Sequence, residues 1–226
     1  MNELEHLEKT LSSVGEKLYF DDQPLHFKNL LPNVENFLTW NDVEYCVNNE
    51  NFKFEVINKR TSEKHSDLRN YVDSKRTISG LINDGHCFVI FNYDSYVEKA
   101  NALLSTIEKA IGGNWFIHVY GGLHGAKSFA IHMDNPPNLI IQTDGRTDWV
   151  VYENRSSRVF PPGIPQGAEK YMREKIKVTL EPGDALYIPA NTYHVAKPTG
   201  QRLSMSLLCD NFQPKKDRNI YSLDYK

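Results

Sequence analysis

The second half of this chain consists of short apolar or alternating segments separated by Gly, Pro, Asn and Asp. This spacing is typical of antiparallel sandwiches and jelly rolls, whereas alternating β-α units would need a helix between neighbouring strands. We therefore predict a mainly β fold. The eight predicted strands are Trp115–Tyr120, Phe129–His132, Asn138–Gln142, Asp148–Glu153, Ile176–Leu180, Ala185–Ile188, Thr192–Ala196 and Arg202–Leu208.

Helices are predicted to flank these strands. Apolar residues recur at helical spacing among charged residues in the segment 2–12, and Thr39 has the character of a helix start. A longer helix is predicted after Ser95, which forms a capping-box pattern with Glu98, and Gly112 should end it.

Two polar segments, 48–80 and 154–175, are poorly periodic and are predicted to be irregular. The second is rich in Pro and should form a long loop beside the mouth of a barrel, where it could act as a substrate lid. We divide the chain into an N-terminal helical and loop region (1–84), a barrel core (85–210) and a C-terminal tail (211–226).

Charge and composition argue against several classes of partner. The net charge is -3, so nucleic acid is not expected to be a partner. No apolar run approaches membrane length, and Met1 leads directly into charged residues, so no membrane association is expected. Cys46, Cys87 and Cys209 are odd in number and widely spaced, which favours a reducing compartment and a cytoplasmic location.

Three residues form a candidate metal site. His132 and Asp134 are separated by a single residue, so in an extended chain their side chains share one face. His194 lies on a later segment, behind the tight turn Glu181-Pro182-Gly183-Asp184. Two imidazoles and one carboxylate on one face of a metal leave positions open for other ligands, as in non-haem Fe(II) oxygenases.

Several motifs in this order resemble the JmjC group of the cupin superfamily, and most closely its ribosomal-oxygenase-like protein hydroxylases. The resemblance spans about residues 24–210. It is carried by DGHCFVIFNYDSYVEKANALLSTIEKAIGG before the barrel, by HMD at 132–134, by Gln142, Gly145 and Trp149, and by PGDALYIPANTYH at 182–194.

The resemblance implies a double-stranded β-helix, that is, a cupin or jelly-roll barrel with flanking helices. It also implies Fe(II) bound by His132, Asp134 and His194, with 2-oxoglutarate and O₂ as co-substrates. Enzymes of this kind release CO₂ and succinate and hydroxylate an unactivated C–H bond.

The sequence departs from this subgroup where 2-oxoglutarate should be anchored. A Lys or Arg is usual two residues after the glycine that matches Gly145, and that position is Thr147. Arg146 should point to the opposite face of the strand. Arg202 and Ser204 resemble the Arg-x-Ser pair that other 2-oxoglutarate oxygenases use from the last barrel strand, so we favour them over Arg146 or Lys127.

Two further residues are candidates for co-substrate binding. Asn138 matches an amide that helps to hold the co-substrate in asparaginyl hydroxylases, although it could equally be a turn residue at the start of a strand. Tyr120 could supply a hydroxyl, but we favour buried packing as its role.

Three functions remain open. The first is a dioxygenase that hydroxylates a side chain of a peptide or protein. The second is a hydroxylase of a free amino acid or other small metabolite. The third is a non-enzymatic cupin that binds a metal or partner. Thr147, which replaces the cation expected to anchor 2-oxoglutarate, keeps this alternative open. The sequence does not decide the oligomeric state, and a homodimer is one alternative.

Overall fold

A computed structural model of the chain describes residues 2–20, 23–49, 51–58, 63–66, 85–123, 129–155 and 168–210. The helices in these ranges are α1 (Glu3–Phe20), α2 (Trp40–Val47) and α3 (Glu98–Ile111). The strands are β1 (Leu25–Phe27), β2 (Lys53–Asn58), β3 (Glu63–Ser66), β4 (Cys87–Phe91), β5 (Trp115–Gly122), β6 (Asn138–Arg155), β7 (Glu174–Leu180), β8 (Ala185–Ile188) and β9 (Thr192–Cys209).

The described strands form one antiparallel sheet in the order β1-β8-β6-β9-β5-β4-β2-β3, with β7 paired to β6. The long strands β6 and β9 pair along most of their lengths. The first part of β6 also pairs with β8, and its last part pairs with β7. The sheet thereby folds back on itself as a jelly roll, the predicted double-stranded β-helix.

The predicted strand boundaries were wrong at the corners of this barrel. Residues 138–155 form one strand where two were predicted, and so do residues 192–209. The strands continue through the corner because β6 changes register around Gly145, whose φ is 66°. A Cβ there would lie 1.8 Å from the main-chain oxygen of Gln201, so only glycine allows so close an approach.

The predicted strand at 129–132 was also wrong. His132 makes only an isolated bridge, to His194, and no ladder forms around it. Conversely, β2 lies in the segment 48–80, where no regular structure was predicted. Phe54 and Val56 are buried and alternate with more exposed residues, and this short alternation was the missed signal.

The helices pack on the outer face of the sheet. Helix α1 extends beyond the predicted 2–12 because Leu18 continues its buried stripe. Thr39 caps α2 in a full capping box with Asp42. The capping box predicted at Ser95 was wrong, since Ser95 lies in a 3₁₀ turn and α3 begins after Val97.

The turn that precedes β8 ties the N-terminal region to the barrel. The buried carboxylate of Asp184 accepts hydrogen bonds from the main-chain N–H of Asn29 at 2.9 Å and from Lys28 Nζ at 3.0 Å. Gly183 has a φ of 91°, and a Cβ there would lie 2.9 Å from Asn29 Oδ1. Asp184 therefore holds the segment next to β1 against the turn that leads towards His194.

An apolar cluster fills the interior of the barrel below the candidate site. It consists of Ile140, Trp149, Val151, Leu180, Leu186, Ile188 and Ala196, all of them buried.

None of the helices described here is long and apolar enough to cross a bilayer. The predicted long loop lies largely outside the described residues, which resume at 168, and the predicted tail (211–226) lies wholly outside them. The domain division at residue 84 stays a prediction.

Candidate metal centre

Main-chain hydrogen bonds hold the three predicted metal ligands together. The amide of His132 donates to the carbonyl of His194 at 3.1 Å, and the reverse bond is 2.8 Å. The amide of Asn191, a residue in the left-handed conformation with φ 57°, donates to the carbonyl of Asp134 at 2.8 Å. The segment around His132 is thus fixed to the start of β9 although it forms no strand of its own.

The ligand atoms of His132, Asp134 and His194 all lie within 4.8 Å of one another. Asp134 Oδ1 is 3.8 Å from His132 Nε2, and Asp134 Oδ2 is 3.5 Å from His194 Nε2. In both imidazoles, Nδ1 lies within hydrogen-bond distance of a main-chain carbonyl, at 2.8 Å from Ala130 and 2.9 Å from Thr192. These contacts favour the proton on Nδ1, so both Nε2 lone pairs face the shared centre.

This donor set fits a divalent transition metal. Two imidazoles and a carboxylate on one side leave other coordination positions free, the arrangement suited to Fe(II). Burial lowers the pKa of His194, the proximity of His132 lowers it further, and the Asp134 charge opposes both. His194 is therefore neutral at neutral pH, the protonation state that a metal ligand requires.

The centre is open on one side. The side chain of His194 is 2% exposed, whereas those of His132 and Asp134 are 30% and 32% exposed. The open side therefore lies towards the segment 129–134 and the buried side towards β9.

Asn138 and Ser206 form a buried chain of hydrogen bonds that leads to this centre. Asn138 Nδ2 donates to Asp134 Oδ2 at 3.4 Å. Ser206 Oγ donates to Asn138 Oδ1 at 2.9 Å. Ser206 was not among the site residues predicted from the sequence. The alternation of Arg202, Ser204 and Ser206 within an apolar strand was the signal available for it.

Arg202, the predicted co-substrate anchor, is 2% exposed. Its neighbours in register are Gly122 on β5 and Gly145 on β6, so neither adjacent strand places a side chain beside it. Burial lowers the pKa of Arg202, and the nearby Tyr120 and Cys87 groups oppose this effect.

Ser204 and Tyr120 lie in the next row of the sheet. Ser204 is in register with Tyr120 on one side and Gln142 on the other, and its hydroxyl donates to the carbonyl of Tyr120 at 3.5 Å. Burial raises the pKa of Tyr120, Asp134 raises it further, and the charge of Arg202 opposes the shift. Tyr120 therefore interacts electrostatically with both the metal ligands and the predicted anchor.

Thr147 lies on β6 two residues after Gly145 and is fully buried. Among the residues that the structure describes, its hydroxyl has no hydrogen-bond partner, and the same is true of Gln142 Oε1 and Trp149 Nε1. Buried polar atoms without partners are uncommon and call for a ligand or water.

The two other basic candidates differ from Arg202. The Arg146 side chain is 61% exposed and forms an ion pair with Glu181 at 3.3 Å, in keeping with the predicted opposite face. Lys127 lies outside the described residues.

Comparisons with known proteins agree with this geometry. The sequence matches the JmjC domain family over residues 96–217. It is 26% identical over 198 residues to the bifunctional lysine-specific demethylase and histidyl-hydroxylase NO66 of Dictyostelium discoideum, a match that covers 79% of this chain and 36% of that protein. It is 24% identical to ribosomal oxygenase 1 of Danio rerio, with 83% of this chain and 35% of that protein covered.

Among solved structures, the ribosomal oxygenase YcfD of Escherichia coli in complex with cobalt and 2-oxoglutarate has a TM-score of 0.65 at 16% identity. That match covers 91% of this chain and 52% of YcfD. The chain thus spans about a third of the curated relatives it matches and about half of this structure. The family match extends over most of the barrel and includes all three metal-site residues, and the chain belongs to the JmjC domain family.

Proposed function

We propose that this chain is an Fe(II)- and 2-oxoglutarate-dependent dioxygenase that hydroxylates a side chain of a peptide or protein. The observation that carries the proposal is the convergence of His132, Asp134 and His194, with the Nδ1 atom of each imidazole held by a carbonyl. When bound, Fe(II), 2-oxoglutarate and O₂ supply the oxidising chemistry, and CO₂ and succinate are the co-products.

The chain's own residues bind and orient these groups. His132, Asp134 and His194 hold the metal. Arg202 binds the distal carboxylate of 2-oxoglutarate, since a guanidinium offers two parallel donors to a carboxylate. Ser204 and Tyr120 lie in the neighbouring row, and Thr147 has a buried hydroxyl that could donate to the same acid.

A protein substrate is supported by two observations. The relatives in the comparisons are named for histidyl hydroxylation, lysine demethylation and ribosomal oxygenation, all of which act on proteins or their assemblies. In addition, His132 and Asp134 are partly exposed, so a side chain presented from a larger molecule could reach the metal. A cytoplasmic location remains part of the proposal, supported by the odd number and wide spacing of the three cysteines.

Thr147 supports a second candidate, a metal-binding cupin without enzymatic activity. The subgroup that this chain resembles places a cation at this position, and here the position holds the neutral, buried Thr147. If Arg202 does not replace that cation, no other buried Lys or Arg among the residues that the structure describes can anchor 2-oxoglutarate.

The proposal is tested by incubating the purified protein with Fe(II), 2-oxoglutarate and a tryptic peptide pool. We expect succinate formation and peptides heavier by one oxygen atom. His132→Ala should abolish both, because two remaining ligands do not hold the metal in register. His6→Ala, on helix α1 away from the site, is the matched control and should keep both.

The assay separates the candidates. Absence of succinate, with and without peptides, from a protein that binds metal would exclude the dioxygenase and leave the non-enzymatic cupin. Succinate formation that depends on a free amino acid but not on any peptide would exclude the protein substrate.

A further inference from the structure

We propose that Asn138 is a positioning residue that orients the Asp134 carboxylate for metal binding, and that Ser206 holds Asn138 in place. The inference rests on the proposed metal centre but assigns Asn138 a role different from the co-substrate contact predicted from the resemblance. Its basis is the chain of hydrogen bonds from Ser206 through Asn138 to Asp134.

The amide of Asn138 can face Asp134 in only one orientation. A carboxylate accepts hydrogen bonds, so the NH₂ group must point towards it, and the reversed amide would place two oxygens together. The Ser206 hydroxyl, which can donate, then faces Asn138 Oδ1 at 2.9 Å. Both ends of the amide are thus specified by their neighbours.

The contact is made to a particular oxygen of Asp134. Asn138 donates to Oδ2, which is also the oxygen closer to His194 Nε2, at 3.5 Å. Oδ1 faces His132 instead. Loss of the amide would therefore free the side of the carboxylate that faces the buried imidazole.

Asp134 lies in an irregular segment, and the hydrogen bond from Asn138 acts on its side chain. Its carbonyl is held by the Asn191 amide, but its side chain is 32% exposed and lies outside any strand. Asn138, by contrast, is 5% exposed and begins β6, where both Ile188 and Leu208 pair with it. A buried residue within the sheet thus holds a partly exposed one outside it.

Metal affinity without co-substrate is the readout that this role predicts. Co²⁺ binding is measured by calorimetry, and the geometry of its site by visible absorption, in the absence of 2-oxoglutarate. Asn138→Leu, which keeps the volume but removes the amide, should weaken Co²⁺ binding by roughly 10- to 100-fold, the usual effect of losing a residue that orients a metal ligand. The visible absorption of bound Co²⁺ should also change.

Ser206→Ala should weaken Co²⁺ binding in the same direction but less, because Asn138 keeps its bond to Asp134. In the background of Asn138→Leu, Ser206→Ala should have no further effect if Ser206 acts only through Asn138. Thr199→Ala is the matched control on the same strand. Its hydroxyl donates to the Arg146 carbonyl, so its Co²⁺ affinity should equal that of the wild type.

Each remaining outcome decides between explanations. Unchanged Co²⁺ affinity in both Asn138→Leu and Ser206→Ala overturns the inference. If Asn138→Leu then weakens 2-oxoglutarate binding to the Co²⁺-loaded protein, Asn138 is a co-substrate contact. If Asn138→Leu fails to fold, Ser206→Ala alone decides. If the folded wild type binds no Co²⁺, the proposed metal centre fails and the inference fails with it.

Discussion

The replacement of Arg202 by Met tests where this barrel holds the distal carboxylate of 2-oxoglutarate. Met keeps much of the length of the side chain and removes its charge. Because Arg202 is 2% exposed, the substitution acts inside the barrel and leaves the surface unchanged. Arg146→Met is the matched control, since that side chain is 61% exposed and contacts Glu181.

The size of the effect follows from the burial. Removing one member of a buried, hydrogen-bonded charge pair costs roughly 2–5 kcal/mol, and about 3 kcal/mol corresponds to ~100-fold weaker binding. A ligand at ~100 times its Kd stabilises a protein by about 2.7 kcal/mol, and at ~1 times its Kd by about 0.4 kcal/mol. For a chain of 226 residues, 1 kcal/mol shifts Tm by roughly 2 °C.

The assay is thermal unfolding of the Co²⁺-loaded protein with and without 2-oxoglutarate. At a concentration of ~100 times the wild-type Kd, 2-oxoglutarate should raise the Tm of the wild type and of Arg146→Met by about 6 °C. For Arg202→Met the increase should be only about 1 °C. An undiminished shift in Arg202→Met would refute the assignment of the anchor, and no shift in the wild type would favour the non-enzymatic cupin.

Two further predictions concern the parts of the fold that position the site. Burial alone would raise the pKa of Asp184, but hydrogen bonds from Asn29, Lys28 and Glu181 hold it below its ordinary value of 3.8. Its contribution to stability is therefore present above pH 3.8 and is lost as the pH falls through the lower folded-state pKa. Asp184→Asn should lower the free energy of unfolding at pH 7 by roughly 2 kcal/mol and reduce the loss of Tm in acid, and an unchanged acid profile would contradict this. Gly145→Ala should cost about 2 kcal/mol or more, because its φ of 66° and the nearby Gln201 oxygen leave no room for a methyl group, and wild-type stability in denaturant unfolding would contradict the close approach of the strands.

The three residues predicted as metal ligands converge in the structure, and much of the information for this is local. His132 and Asp134 are near neighbours in the chain. The turn at Gly183 and Asp184 comes directly before the strands that lead to His194. The wrong element around His132 did not matter, since the main-chain bonds to His194 and Asn191 provide the geometry that a strand would have provided.

Two capping-box patterns of the same spacing fold differently in this chain. Thr39 forms a capping box with Asp42, whereas Ser95, with Glu98 at the equivalent spacing, does not. Ser95 is instead the last residue of the 3₁₀ turn Tyr93–Ser95, whereas Thr39 lies outside the 3₁₀ turn Val34–Asn36 that precedes it. Such choices depend on how the turn packs against the sheet, and a four-residue pattern does not contain that information.

Thr147 stands where the subgroup that this chain resembles usually has a Lys or Arg. The register of the barrel strands offers a physical explanation for this difference. A ligand carboxylate requires a cation at a position in space, and that position can be reached from more than one strand. Gly145 and Gly122 flank Arg202 in register, so β9 can supply the guanidinium without competition from side chains on β5 or β6. A second buried cation at 147 would then add a desolvation cost and a like-charge repulsion. If Arg202 is the anchor, as we propose, a neutral residue at 147 avoids both costs, which is consistent with a transfer of the anchor to the neighbouring strand.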